Sequence, residues 1–225
     1  MNRHVPPTAL ALFDLDHTLL AADTNELWLN FLADEGCIDG PRTLARQARY
    51  YDDYLAGRLD IGAYLAFQLE TLAGRTLAEL LPLRARFAHT RLLPALAPQA
   101  AALVAGHRAQ GHRCAIVSAT HRFLVEPAAQ ALGIADLLVT EAELVDGRFS
   151  GALCGLPCFR ELKPLRVEAW RSEEGLSGAL PSWFYSDSLN DLALLERVDH
   201  PVAVDPDPAL AAAAARRGWT VISLR

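Results

Sequence analysis

The 225-residue sequence predicts an α/β fold, a mainly parallel sheet with helices on both faces, interrupted after its first strand by a helical insertion. Three observations predict it. The stretch Ala9 to Leu20, ALALFDLDHTLL, opens with an apolar run that stops at two aspartates, as a strand buried on both faces does at its carboxyl end. Residues 23–96 carry apolar side chains at helical spacing and contain no convincing strand. From Pro98 onward, short apolar runs alternate with helical stretches, the pattern of parallel strands joined by right-handed crossovers.

The first strand delivers Asp14 and Asp16 to the edge where such sheets open into a ligand crevice. Two carboxylates this close repel each other and ask for a cation or a shared proton. Thr18 adds a hydroxyl and backbone N–H groups suited to a phosphate oxygen. Simple capping of the next element accounts for one such Asp better than for the pair. Within the insertion, Leu27, Phe31 and Leu32 mark a first helix. Leu44, Ala48, Tyr51 and Leu55 mark a second, opened by Pro41, and Leu65, Leu69 and Leu72 a third. Thr76 and Glu79 have capping-box spacing for a fourth, which Pro82 is expected to kink or interrupt. The cluster Tyr50-Tyr51-Asp52-Asp53-Tyr54 offers aromatics at helical spacing, more in keeping with packing than with a pocket lining.

Beyond the insertion a helix runs to about Gln110, and Arg113 to Val117 is a strand ending in Ser118-Ala119-Thr120. His121 to Leu132 is a helix capped by Gly133, Leu137 to Thr140 a strand, and Leu144 to Leu153 a hairpin turning at Asp146-Gly147. Lys163-Pro164 opens a further helix. Trp183 to Ser186 is a strand ending at Asp187, followed by a helix over Leu189 to Arg197. Pro201 to Val204, Pro208 to Arg217 and Trp219 to Leu224 close the chain as strand, helix and strand.

Composition narrows the function. A net charge of -6 with scattered arginines argues against a nucleic-acid surface, and no stretch approaches the length of a membrane span. The early residues lack the charged-then-apolar pattern of a signal peptide, so a cytoplasmic protein is expected. Cys37, Cys114, Cys154 and Cys158 are too few and too unevenly placed for a disulfide framework or a complete zinc site. Of the 21 lysine and arginine residues, Lys163 alone is lysine. A chain that otherwise uses arginine keeps a compact ammonium where a planar guanidinium does not fit, as at a tight phosphate or carboxylate contact.

Four segments thus place polar groups beside sheet elements: Asp14, Asp16 and Thr18; Ser118; Lys163; and Asp187 with Asn190 and Asp191. DLDHT, IVSAT, the lone lysine and YSDSLND, in this order and over essentially the whole chain, resemble the four motifs of the haloacid dehalogenase (HAD) superfamily of phosphohydrolases. The DGRFSGAL and GLPC stretches are similar to its IB branch, which includes phosphoserine phosphatase. The resemblance implies a Rossmann-like core over residues 1–22 and 97–225 and a helical C1-type cap over 23–96. It also implies a Mg²⁺-dependent phosphomonoester hydrolase acting on a small phosphorylated metabolite. Asp14 would attack phosphorus to form an aspartyl-phosphate, and Asp16 would act as general acid and base. The metal would lie on the side chains of Asp14 and Asp187 and the backbone carbonyl of Asp16, with Asp191 orienting metal-bound water. Thr18, Ser118, Lys163 and Asn190 would face the phosphoryl oxygens. The chemistry calls for such a set, because an anionic nucleophile reaches an anionic phosphoryl group only where charge is neutralised and the groups are held in line.

Some positions depart from the family pattern. His17 stands where the family often has Gly or Ser, and is expected to point outward; Lys163 lacks the usual preceding glycine, with Arg160 and Arg166 as lesser substitutes. Asp23 lies nine positions after the nucleophile, where phosphoserine-phosphatase relatives carry an acidic residue; a helix cap ahead of Asn25-Glu26 explains it equally well. Arg49 and Arg58 are candidates for holding a substrate carboxylate. Without such an arginine, a cationic amino alcohol phosphate such as histidinol phosphate suits the site as well as phosphoserine does. Phosphotransfer to an acceptor other than water and a phospho-aspartate receiver domain are the alternative functions, and the chain could be a monomer or a homodimer.

Overall fold

The computed structural model of the chain describes residues 6–225. Its first strand, β1 (Leu10–Phe13), is buried along its whole length. Ala11 and Phe13 join one hydrophobic cluster while Leu10 and Leu12 join a second, the period-two alternation of a strand with a packed layer on either side. Each large side chain so removed from water contributes about 2–3 kcal/mol. An unbroken apolar run is the sequence consequence of that double burial.

The insertion follows as α1 (Thr24–Asp34), α2 (Gly40–Leu55), α3 (Ile61–Leu69) and α4 (Leu77–Phe87). Asp23, Asp39, Asp60 and Thr76 start these helices, each side chain accepting the backbone N–H three residues on. Thr76 and Glu79 complete the expected reciprocal capping box. Pro82 does not interrupt the helix: α4 continues through it to Phe87. The proline forfeits one N–H, and the full burial of Leu80 and Phe87 on either side holds the helix together. The chain leaves and re-enters the sheet region along adjacent paths: Ala21 N–H donates to Ala95 O (2.8 Å), and Ala97 N–H to Leu19 O (2.9 Å).

Next come α5 (Ala100–Ala109), β2 (Arg113–His121), α6 (Arg122–Leu132) and β3 (Asp136–Thr140). Strand β2 is longer than its apolar run, because its pairing with β3 shifts register between Ser118 and His121 and carries Thr120 onward within the strand. β4 (Ala142–Val145) and β5 (Arg148–Leu153) form the hairpin, with Asp146 (φ 51°) and Gly147 (φ 75°) both left-handed, as a tight two-residue turn demands. This hairpin also clasps the insertion: Gly74 N–H donates to Phe149 O (2.8 Å) and Phe149 N–H to Arg75 O (2.9 Å).

The remainder is α7 (Leu162–Glu173), β6 (Ser182–Ser186), α8 (Leu192–Leu195), β7 (His200–Val204), α9 (Pro208–Arg217) and β8 (Thr220–Ile222). The expected helix over 189–197 is instead a 3-10 turn, Leu189–Asp191, leading into the short α8. Its tight first turn lets Asn190 and Asp191 meet Arg160 and Lys163, both at 2.7 Å.

The six-stranded sheet runs β3-β2-β1-β6-β7-β8 with every neighbouring pair parallel. The apolar faces of α5, α6 and the insertion share the cluster of Phe13; those of α7, α8 and α9 share that of Leu12. The order reverses at β1, between β2 and β6, so the crevice opens beyond its carboxyl end. Among the described residues all four cysteines are free, and no helix is long and apolar enough to cross a membrane.

Candidate active site

Lys163, in the first turn of α7, is 3% exposed and its ammonium donates to Asp14 Oδ1 at 2.8 Å and to Asp191 Oδ2 at 2.7 Å. Ser186 Oγ donates to the same Asp191 oxygen at 2.8 Å. Burial pulls the Lys163 ammonium toward neutrality, but the charges of Asp14 and Asp191 outweigh it and hold its proton more firmly than usual. Burial raises the Asp14 carboxyl well above the carboxylate range; Lys163 opposes this, while Asp191, Asp187 and Asp16 add to it. Asp187 is pushed up to about 7, by burial first and by Asp191 second. Four carboxylates therefore crowd around a single ammonium, which pairs with buried Asp14 and Asp191 while Asp16 and Asp187 are half-buried.

That charge imbalance fits a hard divalent cation held by oxygen ligands. Asp14 and Asp187 are side-chain carboxylates that could hold such a cation. Among the described residues no three acidic, histidine or cysteine side chains converge as an ion-binding group.

The loop after β1 separates the two aspartates. Asp14 N–H donates to Tyr185 O (2.9 Å), extending the strand pairing by one residue. Asp16 turns the other way: its Oδ1 accepts from Thr24 N–H at 2.7 Å and from the Thr24 hydroxyl, and its Oδ2 accepts from Thr120 Oγ1 at 2.7 Å. Three donors from the start of α1 and the end of β2 fix its orientation. His17 has φ 56°, a left-handed conformation that favours glycine, and its ring is exposed. The reversal there turns Thr18 back toward β6, where its hydroxyl donates to Asp187 Oδ1 (3.1 Å) and accepts Asp187 N–H (3.0 Å). Ser118, 1% exposed, accepts Thr120 N–H at 3.1 Å, leaving its own proton available.

Asn190 accepts from Arg160 Nε at 2.7 Å and donates to Ser188 Oγ at 3.3 Å. The Ser188 hydroxyl also meets the Tyr54 hydroxyl of α2 at 2.9 Å. Tyr54 thus departs from the packing expectation and reaches the strand-end loops, whereas Tyr50 stacks on Phe67 as expected. Asp23 caps α1, accepting Glu26 N–H at 2.8 Å, and burial with the neighbouring Asp16 charge pushes its carboxyl up to about 7. Tyr64 feels the charges of both Asp23 and Asp16, which places its phenol on the insertion side of the same crevice.

The structure brings the charges of Asp14, Asp16, Asp187, Asp191 and Lys163 into one cluster, with Thr18 bonded to Asp187, Ser118 reached from Asp16 through Thr120, and Asn190 on the neighbouring loop. It does not bring in the two arginines. Arg49 is exposed on α2, and Arg58, exposed just beyond the helix, pairs with Asp53 at 2.9 Å. Thr24, Thr120, Ser186 and Arg160 are the contributors that sequence reasoning passes over or ranks low; Thr120, two residues after Ser118 at a polar strand end, is the one with a visible signal. A cavity of about 930 Å³ lies elsewhere, between Trp183, His200, Arg217 and Trp219, and none of the network residues lines it.

A family model described as haloacid dehalogenase-like hydrolase matches residues 11–196. A histidinol-phosphatase of Neisseria meningitidis serogroup C (strain 8013) is 36% identical over 219 residues, spanning 96% of this chain and 99% of that protein. The phosphoserine phosphatase SerB1 of Mycobacterium tuberculosis (strain ATCC 25618 / H37Rv) is 30% identical over 221 residues, spanning 97% of this chain and 71% of that protein. The crystal structure of a protein of unknown function from Bordetella pertussis Tohama I matches with a TM-score of 0.91 at 42% identity, covering 96% of this chain and 98% of that one.

Proposed function

The chain belongs to the haloacid dehalogenase-like hydrolase family and is a phosphoric monoester hydrolase, and on that premise we propose that Asp14 is its nucleophile, that Mg²⁺ is its cofactor and that its substrate is a small amino alcohol phosphate such as histidinol phosphate. The observation that carries the nucleophile assignment is the buried Asp14–Lys163–Asp191 bridge at the end of β1. Lys163 engages Asp14 through Oδ1 alone, so Oδ2 is free to attack phosphorus. As the P–O bond to the leaving group breaks, that oxygen takes the proton of Asp16. Asp16 then accepts a proton from the water that cleaves the aspartyl-phosphate, releasing inorganic phosphate and restoring both carboxyl groups. Ser118, Lys163 and Asn190 donate to the phosphoryl oxygens during transfer, and Thr18, whose hydroxyl proton is held by Asp187, would donate through its backbone N–H. Asp14, Asp187 and the Asp16 carbonyl would hold Mg²⁺, which when bound supplies neutralisation of the phosphoryl charge. Asp191, occupied by Lys163 and Ser186, supports this set from behind.

Residues 23–96 act in this proposal as the cap that closes over the crevice and excludes water. The substrate assignment rests on charge. The crevice presents Asp23 and the Tyr64 phenol beside Asp16, and neither Arg49 nor Arg58 reaches it. A substrate bearing a carboxylate finds no added cation there, whereas an ammonium group finds Asp23. The full-length similarity to a histidinol-phosphatase supports the same choice. The test is hydrolysis of histidinol phosphate and phosphoserine with and without Mg²⁺, by wild type and Asp14→Asn. The expected result is Mg²⁺-dependent turnover favouring histidinol phosphate and no turnover by the folded variant. Turnover by Asp14→Asn would overturn the nucleophile assignment, and a preference for phosphoserine would overturn the substrate.

A further inference from the structure

We propose that Arg160 is a positioning residue, whose guanidinium holds the carbonyl end of the Asn190 amide and thereby aims the amide's NH₂ end at the phosphoryl group. The inference rests on the proposed role of Asn190 as a phosphate ligand and adds what holds Asn190 in place. An amide has a donor end and an acceptor end, and a guanidinium offers donors only. Arg160 Nε lies 2.7 Å from Asn190, so the end that meets it is Oδ1. The Nδ2 end then faces the opposite way, spends one hydrogen on Ser188 Oγ at 3.3 Å and keeps the other for a ligand. Asn190's own backbone N–H also donates to Ser188 Oγ at 3.2 Å, which closes the loop around the amide.

Two further features single out Arg160. It has φ 46°, the left-handed region that is costly for a residue with a Cβ, and such strain persists where the surroundings require it. The Arg160 carbonyl accepts Lys163 N–H at 3.1 Å, so one turn at the start of α7 sends Lys163 to Asp14 and Arg160 to Asn190. The guanidinium sits over the Phe159 ring, 5.0 Å from its centroid, and among the described residues it forms no ion pair with a carboxylate. A flat, stacked fork suits this contact, and lysine does not reproduce it. Ser188 passes the arrangement on to the cap through the Tyr54 hydroxyl.

The experiment is a double-mutant cycle of Arg160→Gly and Asn190→Ala in the Mg²⁺-loaded enzyme, reading 4-nitrophenyl phosphate hydrolysis, the inhibition constant for inorganic phosphate and the thermal midpoint. Glycine suits the left-handed backbone, so Arg160→Gly is expected to keep its midpoint while kcat/KM falls about tenfold and inhibition by phosphate weakens. Asn190→Ala is expected to lose at least as much, and the double variant no more than Asn190→Ala alone. Arg160→Lys is expected to recover little. Losses that multiply in the double variant would show Arg160 acting on phosphate independently and overturn the positioning role. Full activity of Arg160→Gly with an impaired Asn190→Ala overturns this inference and leaves the Asn190 assignment standing; full activity of Asn190→Ala overturns both. Should the glycine variant not fold, Arg160→Ala completes the same cycle.

Discussion

His121 gives the protein a built-in acid sensitivity whose size follows from its burial. It is the last residue of β2, directly after the Thr120 that holds Asp16, and is 1% exposed. Neither ring nitrogen has a hydrogen-bond partner among the described residues. Burial lowers its protonation midpoint from 6.5 to about 4. In the unfolded chain the ring takes a proton near 6.5, so between these two values the unfolded state binds more protons and stability falls as pH falls. The contribution is fully present above 6.5, is lost progressively toward about 4, and amounts to about 3 kcal/mol over that range. Asp23 and Asp187, each raised to about 7, have the opposite sign: the folded state binds their protons first, and their contribution falls as pH rises through that value. Wild type must therefore be compared with His121→Leu, which keeps the carboxylates and removes the imidazole. Urea unfolding at about pH 7 and about pH 4 should show wild type losing about 3 kcal/mol more than the variant. Parallel losses in the two proteins would refute the argument and mean that the ring is hydrated or paired in solution.

The cluster around Lys163 makes further predictions. Lys163→Met removes the one ammonium from between Asp14 and Asp191 and should cost about 3–5 kcal/mol, read as a fall of about 10 °C in Tm with loss of hydrolysis; Lys163→Arg should remain inactive, because the planar head does not fit both carboxylates. Thr120→Val takes one donor from Asp16 and should lower kcat about tenfold with KM little changed, in steady-state assays of an aryl phosphate. Chelation of divalent cations should abolish turnover and added Mg²⁺ restore it; turnover unaffected by the chelator would count against the proposed cofactor. Asn at position 23 keeps the helix cap but not the charge, so Asp23→Asn should spare Tm and aryl phosphate hydrolysis while reducing kcat/KM for histidinol phosphate. In wild type, kcat/KM for histidinol phosphate relative to that for the aryl phosphate should rise with pH through about 7 as Asp23 ionises.

The residues legible in the sequence are those whose environment leaves a local trace. β1 reads as a strand because burial on both faces leaves no polar position to break the run, and Asp14, Ser118 and Asp187 read as site residues because each ends or follows such a run. Lys163 is legible by a different route, as the lysine in a chain that otherwise uses arginine. Thr24 and Arg160 leave no comparable trace, and Thr120 only its place at a polar strand end, since what gives them a role is a partner brought close by the fold: Asp16 lies 104 residues from Thr120, and Asn190 lies 30 from Arg160. Arg49 and Arg58 fail for a related reason, because a long cation on a helix can turn to solvent at little cost and nothing in its spacing says which way it goes. Tyr50 and Tyr54 make the limit plain. One helical turn apart on α2, they share a face and a periodicity, yet Tyr50 stacks on Phe67 inside the insertion while Tyr54 meets Ser188 at the sheet's edge. Spacing assigns both to one stripe of the helix; where that stripe leaves the packed interior and reaches the strand-end loops is a property of how the insertion sits against the sheet.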